Sequence, residues 1–84
     1  MVPKSIPKRL GKKLRAIRES RGWTLDQMAA ALGREDASRR ARVYEWEAGV
    51  RQPDLPTLLA YARLAGVSTD VLIDDELELP SEGE

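Results

Sequence analysis

The stretch from Gly33 to Gly49, GREDASRRARVYEWEAG, gathers the side chains of this chain best suited to chemistry. Arg34, Arg39, Arg40 and Arg42 bring guanidinium groups, set against the carboxylates of Glu35, Asp36, Glu45 and Glu47. Tyr44 and Trp46 stand among them. A guanidinium is a planar fork that can grip a phosphate or the O6 and N7 edge of guanine through two parallel hydrogen bonds. The same composition also describes a solvated helix face whose acids cancel its bases. The surroundings have to decide.

Other chemistries lack their reagents. The 84 residues include no cysteine and no histidine, which removes thiolates, disulfides, the usual neutral-pH acid–base group and the commonest metal ligand. No glycine-rich loop is placed to cradle a phosphate, and no carboxylate pair has a pocket-forming context. Catalysis, cofactors and metals are therefore not expected. The length suits one small domain, near the lower limit for a core without staples. No apolar run approaches the roughly 18 residues of a membrane span, and the N-terminus lacks the apolar core of a signal peptide. The expectation is a soluble, cytoplasmic chain with no membrane partner.

The formal net charge of +0 hides a segregation. Residues 1–63 hold all 14 Lys and Arg with 7 Asp and Glu, a balance of +7; residues 64–84 hold 7 acids and no base, a balance of −7. A polyanion-binding body with an acidic tail fits that asymmetry. Ordinary surface charge with a solubilising tail fits it too.

The elements that must position the arginines can be read from spacing. Residues 1–5 form a flexible Pro- and Lys-containing arm. Ile6, Leu10, Leu14 and Ile17 make one apolar helical stripe, predicting a first helix over roughly 6–20. Lys8, Arg9, Lys12, Lys13 and Arg15 occupy much of the remaining surface, and Gly22 supplies the stop. In TLDQMAAALG, Thr24 and Gln27 form a capping box, and Asp26 suits the first-turn dipole. Leu25, Met28, Ala29 and Leu32 face inward on this second helix, about 25–32, whose alanines permit close approach. Asp54 caps a fourth helix with Pro56 in its first turn, Leu55, Leu58, Leu59 and Ala62 inward, and Gly66 as stop. Ser68 caps a short fifth helix reaching about Asp74. Residues 75–84, DELELPSEGE, read as an acidic tail, although ELEL could pair as a strand between two copies.

Within Ser38–Glu47, Val43 and Trp46 stand three apart and share a face. With that face inward, at about 100° per residue, Ala41, Tyr44 and Glu45 point away and Arg40 and Arg42 flank them. Arg39 then points back toward the core unless the helix only begins there. A short helix buried by one face, with arginines in its first turns, suits entry into a major groove. Its place after a small alanine-rich helix closed by Gly33 is the arrangement of a helix-turn-helix unit.

At this point the chain resembles the Cro/C1-type helix-turn-helix proteins, the XRE family, over about residues 8–74. The resemblance rests on LGKKLRAIRESRGWT, on TLDQMAAALG, and on VYEWEAGVRQPDLPTLLAYARLAGVSTDVLI. Within these, Glu47, Gly49 and Pro53 form an E-x-G-x-x-x-P pattern. It implies an all-α, five-helix, lambda-repressor-like domain, 6–74, whose third helix reads operator DNA. Carried over by position, Arg40, Ala41 and Glu45 face bases, with Arg39, Arg42 and Tyr44 beside them. Phosphate contacts fall on Thr24, Leu25 and Gln27, then on Val50, Arg51 and Gln52. Leu25 departs from the pattern, since a glutamine usually stands there. Arg18 and Glu47 match a structural ion pair.

The larger departure is REDAS, where this chain carries about four residues more than usual, just over one helical turn. Either the turn is longer and Ser38 caps the third helix, or Asp36 caps a helix extended by one turn. The acidic residues suit a helix N-terminus and tilt the reading toward the extended helix. Glu35 and Asp36 would then face phosphates unless they pair with Arg34 or Arg39.

The function implied is a transcriptional regulator, a repressor in the usual case, binding an inverted-repeat operator in double-stranded DNA as a homodimer. Val67, Val71, Leu72 and Ile73 are candidates for the dimer surface; they could equally close the core. Lys4, Lys8 and Arg9 could extend to phosphate as an arm, or serve solubility alone. The alternative is an antitoxin-like interaction module whose acidic tail folds on a protein partner.

Overall fold

The structure, a computed structural model, describes residues 6–80. The arm expected over 1–5, Lys4 included, and positions 81–84 lie outside the described residues. The helices are α1 (Leu10–Ser20), α2 (Leu25–Ala31), α3 (Arg39–Ala48), α4 (Leu55–Ala65) and α5 (Thr69–Ile73), with no strand among the described residues. This is the all-α, five-helix architecture that periodicity and resemblance led us to expect.

The core runs through all five helices. Leu10, Leu14 and Ile17 from α1 meet Met28 and Ala29 from α2, Val43 and Trp46 from α3, Leu58, Tyr61 and Ala62 from α4, and Leu72 from α5. Trp46 and Tyr61 pack edge to face, ring centroids 6.3 Å apart at 81°, a geometry that sets a positive ring edge on a negative face. Ala30 and Ala31 are exposed, so Ala29 alone makes the close alanine contact of α2. On α4 the inward face is Leu58, Tyr61 and Ala62. Leu55 and Leu59, expected inside, are 78% and 41% exposed. At about 100° per residue they fall on the flank of the face centred on Leu58 and Tyr61, outside its buried arc.

Two caps form as their sequence signatures dictate. Thr24 Oγ1 accepts from Gln27 N at 3.1 Å while Gln27 Oε1 accepts from Thr24 N at 2.8 Å. Asp54 accepts from Thr57 N at 3.0 Å. Ser68 stands at the N-cap of α5, but its side chain makes no capping bond. The start of α1 differs from expectation as well. Ile6–Arg9 form a turn, in which Pro7 O accepts from Leu10 N at 3.2 Å, and the helix begins at Leu10.

The cap that α1 lacks locally comes from the other end of the domain. The Asp75 carboxylate accepts from the backbone N–H groups of Lys8 and Arg9, each at 2.9 Å. The Arg9 guanidinium donates to Asp75 O at 2.7 Å and lies 3.5 Å from Glu78. Leu79 packs against the core. Residues 75–80, read as the beginning of a free tail or as a strand, are thus tied to the turn that leads into α1, satisfying the N–H groups of Lys8 and Arg9 just ahead of the helix.

Lys13, expected on the basic surface, is 5% exposed. Its Nζ donates to Val71 O at 2.7 Å and Asp74 O at 2.9 Å, holding the C-terminal carbonyls of α5 against α1. Gly11 sets how closely α1 approaches α3, since a Cβ there would stand 2.5 Å from Glu47 O.

Candidate nucleic-acid interface

Helix α3 is held on one face and open on the other. Val43 and Trp46 are buried at 0% and 3%, whereas Arg40, Ala41 and Tyr44 are exposed. Behind α3, Arg18 Nε and Nη2 donate to the two carboxylate oxygens of Glu47 at 2.7 and 3.0 Å, and Nη1 donates to Trp23 O at 2.9 Å. One guanidinium therefore joins the end of α1, the turn before α2, and α3. The hydrogen bond to Glu47 holds the Arg18 pKa above its ordinary value, against the opposing effect of burial.

The inserted turn is built by Arg34. Its guanidinium carbon lies 5.5 Å from the Trp46 ring centroid, and Nη2 meets the Asp36 carboxylate at 3.2 Å. With Asp36 engaged there, it does not cap. Residues Asp36–Ser38 form a turn in which Arg39 N donates to Asp36 O at 3.1 Å, and α3 begins at Arg39. The preference for an extended helix is corrected: the extra residues lengthen the turn. Ser38 occupies the N-cap position without a side-chain bond. Because the helix begins at Arg39, that side chain escapes the core and is half-exposed.

The structure brings most of the candidate residues into one surface. Arg39 Nε lies 3.6 Å and Arg40 Nη1 4.0 Å from the carboxylate of Asp26 on α2. Arg42 Nη1 and Arg51 Nε both donate to Glu45 Oε1, at 3.1 and 2.7 Å. The hydrogen bond from Arg51, opposed by desolvation and aided by Arg42, keeps the Glu45 carboxyl below the ordinary glutamate range. Both donors use Oε1, which leaves Oε2 able to accept from a cytosine amino group. Beside α3, Thr24 and Gln27 spend acceptor atoms on the capping box. The Thr24 hydroxyl hydrogen and the Gln27 amide N–H groups remain to donate to a phosphate oxygen. Val50, Arg51 and Gln52 are exposed in the loop after α3. Gly49 opens that loop at φ 79, a left-handed conformation that glycine adopts without steric cost.

Leu25 is half-buried against the core and borders an open groove of about 320 Å³ with Arg15, Arg18, Tyr44, Glu47 and Ala48. The Arg9 guanidinium is engaged by Asp75 and Glu78, away from the role of an arm, whereas Lys8 meets Asp75 through its backbone N–H alone and is exposed. Of the candidates for a dimer surface, Leu72 is fully buried and offers no surface, Val67 and Val71 are half-buried, and Ile73 is 44% exposed.

Three residues that shape the site were not singled out from sequence in the roles they hold. Arg34 was counted with the other arginines although it braces Trp46. Asp26 suits the helix dipole by sequence, and in the structure it also faces Arg39 and Arg40. Gly11 stands in the first turn of α1, and an unexplained glycine within the apolar stripe that starts at Ile6 is the available signal for a close approach.

No helix among the described residues is long and apolar enough to cross a membrane. No solved structure matches the chain. It is 36% identical over 63 residues to the SPbeta prophage-derived uncharacterized HTH-type transcriptional regulator YonR of Bacillus subtilis (strain 168), covering 75% of this chain. This chain spans 55% of that relative's length. The family model described as Helix-turn-helix matches residues 14–72, from the middle of α1 to the core residue of α5. With five helices packed around an outward-facing α3 and that match over most of the domain, the chain belongs to the helix-turn-helix family of the Cro/C1 (XRE) type.

Proposed function

We infer that this protein is a transcriptional regulator that binds double-stranded DNA through α3. The observation that carries the reading is the two-sidedness of α3. Val43, Trp46 and Glu47 fix one side to the core, while Arg40, Ala41 and Tyr44 lie open on the other with Arg39, Arg42 and Arg51 around them. A rigid helix with an exposed, cation-rimmed face fits a major groove about 12 Å wide. Arg40, Ala41 and Glu45 then read base edges, and Thr24, Gln27 and Arg51 hold the flanking phosphates. The name of the Bacillus relative, a transcriptional regulator, agrees with this assignment.

The DNA site is an inverted repeat bound by a homodimer, with half-sites about 34 Å apart. One helix reads only a few base pairs, and two-fold pairing is the economical route to specificity. The dimer surface includes Ile73 with its neighbours Val67 and Val71, and Leu55 and Leu59 add exposed apolar surface on α4, which packs on α5. In this reading the protein works in the cytoplasm, on the nucleoid. A tail-mediated, antitoxin-like module is the weaker reading, because residues 75–79 are engaged with α1 and the core.

Selection from a random duplex pool with the purified chain tests the reading. Enrichment of an inverted repeat is the expected result. Absence of enrichment at low salt would overturn it.

A further inference from the structure

The guanidinium groups on the outward side of α3 carry unequal restraints. Arg42 and Arg51 share Glu45, which is itself placed to read a base. Arg39 and Arg40 share Asp26, which sits on the neighbouring helix, is 49% exposed, and meets them at 3.6 and 4.0 Å. Asp36, a second carboxylate near the start of α3, is occupied by Arg34. One carboxylate thus faces two arginines at the point where α3 begins.

We propose that Asp26 is a built-in competitor for phosphate that makes engagement of Arg39 and Arg40 conditional on the DNA sequence. The inference rests on the DNA-binding reading above. Ion pairs this long and this exposed are weak, so the restraint is one that a better partner displaces. A base edge that accepts two hydrogen bonds from one guanidinium is such a partner. A phosphate, which a guanidinium can also grip through two bonds, offers the same charge and the same fork as the Asp26 carboxylate, so it competes with Asp26 on nearly equal terms. On non-operator DNA the two arginines stay with Asp26, and the protein holds the backbone with fewer cations. On its operator they transfer to DNA. The device weakens the hold on non-operator sequence, where a protein that searches by sliding must let go.

The number of phosphates neutralised is read directly by the salt dependence of binding, with a slope of about 0.9 per contact. The test compares wild type, Asp26→Asn and Asp70→Asn on a random-sequence duplex across salt. Asp70 lies on α5, which packs mainly on α1 and α4, so its substitution makes the same charge change away from the reading surface. The expected result is that D26N binds the random duplex more tightly than wild type and D70N, with a slope steeper by about 0.9 for each arginine freed. Its advantage then shrinks about threefold per freed arginine between about 50 and about 200 mM salt. On the duplex enriched by selection, D26N steepens nothing.

Asp26→Ser, which keeps a residue suited to a helix start, should behave as D26N does, with thermal melts recorded in parallel to check that both variants fold. Equal slopes for D26N and D70N on random DNA would overturn the proposal while leaving DNA binding intact. So would equal steepening on the enriched duplex, because the arginines would then be held back there too. If wild type binds no duplex at low salt, the DNA-binding reading itself fails and this inference falls with it.

Discussion

Two arginine–carboxylate contacts, one on each side of α3, use the same groups to opposite ends. Behind the helix, Arg18 and Glu47 meet through two hydrogen bonds at 2.7 and 3.0 Å, with side chains 16% and 7% exposed. In front, Arg39 and Arg40 approach Asp26 no closer than 3.6 Å, with every side chain more than 40% exposed. Burial and a matched fork make the first contact part of the architecture, because neither charge can be left alone out of water. Length and solvent make the second exchangeable. Residue type therefore does not assign a charged pair to scaffold or to function; its dielectric surroundings and geometry do.

That contrast can be broken most severely from the buried side. Glu47→Ala leaves Arg18 without its main partner and should cost roughly 3 kcal/mol of folding stability, measured by denaturant unfolding. Replacing both partners with apolar residues of similar size should recover much of the loss, since an apolar pair leaves no charge buried. Unchanged stability of Glu47→Ala would mean that the pair is not structural.

Gly11→Ala should come next. The new methyl group would meet the Glu47 carbonyl, so α1 and α3 must separate, at a cost of about 1–3 kcal/mol. A gain in stability, as expected of alanine in an ordinary helix interior, would show that the close approach relaxes freely.

Acid should erode the carboxylate contacts. The side-chain and backbone bonds of Thr57 lower the Asp54 pKa, backbone bonds from Arg9 and Lys8 lower that of Asp75, and Arg51 lowers that of Glu45. Each folded value lies below its ordinary one of 3.8 for Asp or 4.5 for Glu, so the stabilisation is complete above those values and is lost as pH falls through the folded values. With no histidine in the chain, side-chain titration should leave the stability profile nearly flat around neutral pH, with a falling acid limb. Asp75→Asn should shallow that limb, and an unaltered profile would show that the cap on α1 contributes nothing.

The smallest effect belongs to the exposed contact. Asp26→Asn should change folding stability by about 0.5 kcal/mol or less, even as it alters the salt dependence of DNA binding. A loss comparable to that of Glu47→Ala would place Asp26 in the scaffold and remove the contrast.

The order of elements was legible because each carries its own local signal. The Thr24 and Gln27 box, Asp54 before Pro56, and the left-handed glycines Gly49 and Gly66 are decided by neighbours in sequence. The Arg18–Glu47 pair was reachable only through family resemblance, since its partners lie 29 positions apart. Helical spacing gave the exposed face of α3, because Val43 and Trp46 fix the rotation of the helix. What escaped depends on contacts between distant segments. Nothing near Ser68 or Lys13 announces that Lys13 will close α5, and nothing near Arg9 announces that Asp75 will cap α1. The inserted turn departs from its sequence signal for a related reason. Asp36 has the chemistry of a cap, but Arg34, braced on Trp46, engages it first. Leu55 and Leu59 show the limit of periodicity, which cannot locate the edge of a buried arc when several leucines share one flank.

The most direct test of the account is binding of the selected duplex by wild type and by Arg40→Ala, with melting curves recorded in parallel. Arg40 is 70% exposed by side chain and contributes little to the core. The account predicts that Arg40→Ala melts as wild type does and loses about 1–3 kcal/mol of binding, with relaxed preference at one base position. Equal affinity and equal preference in the two proteins would contradict it.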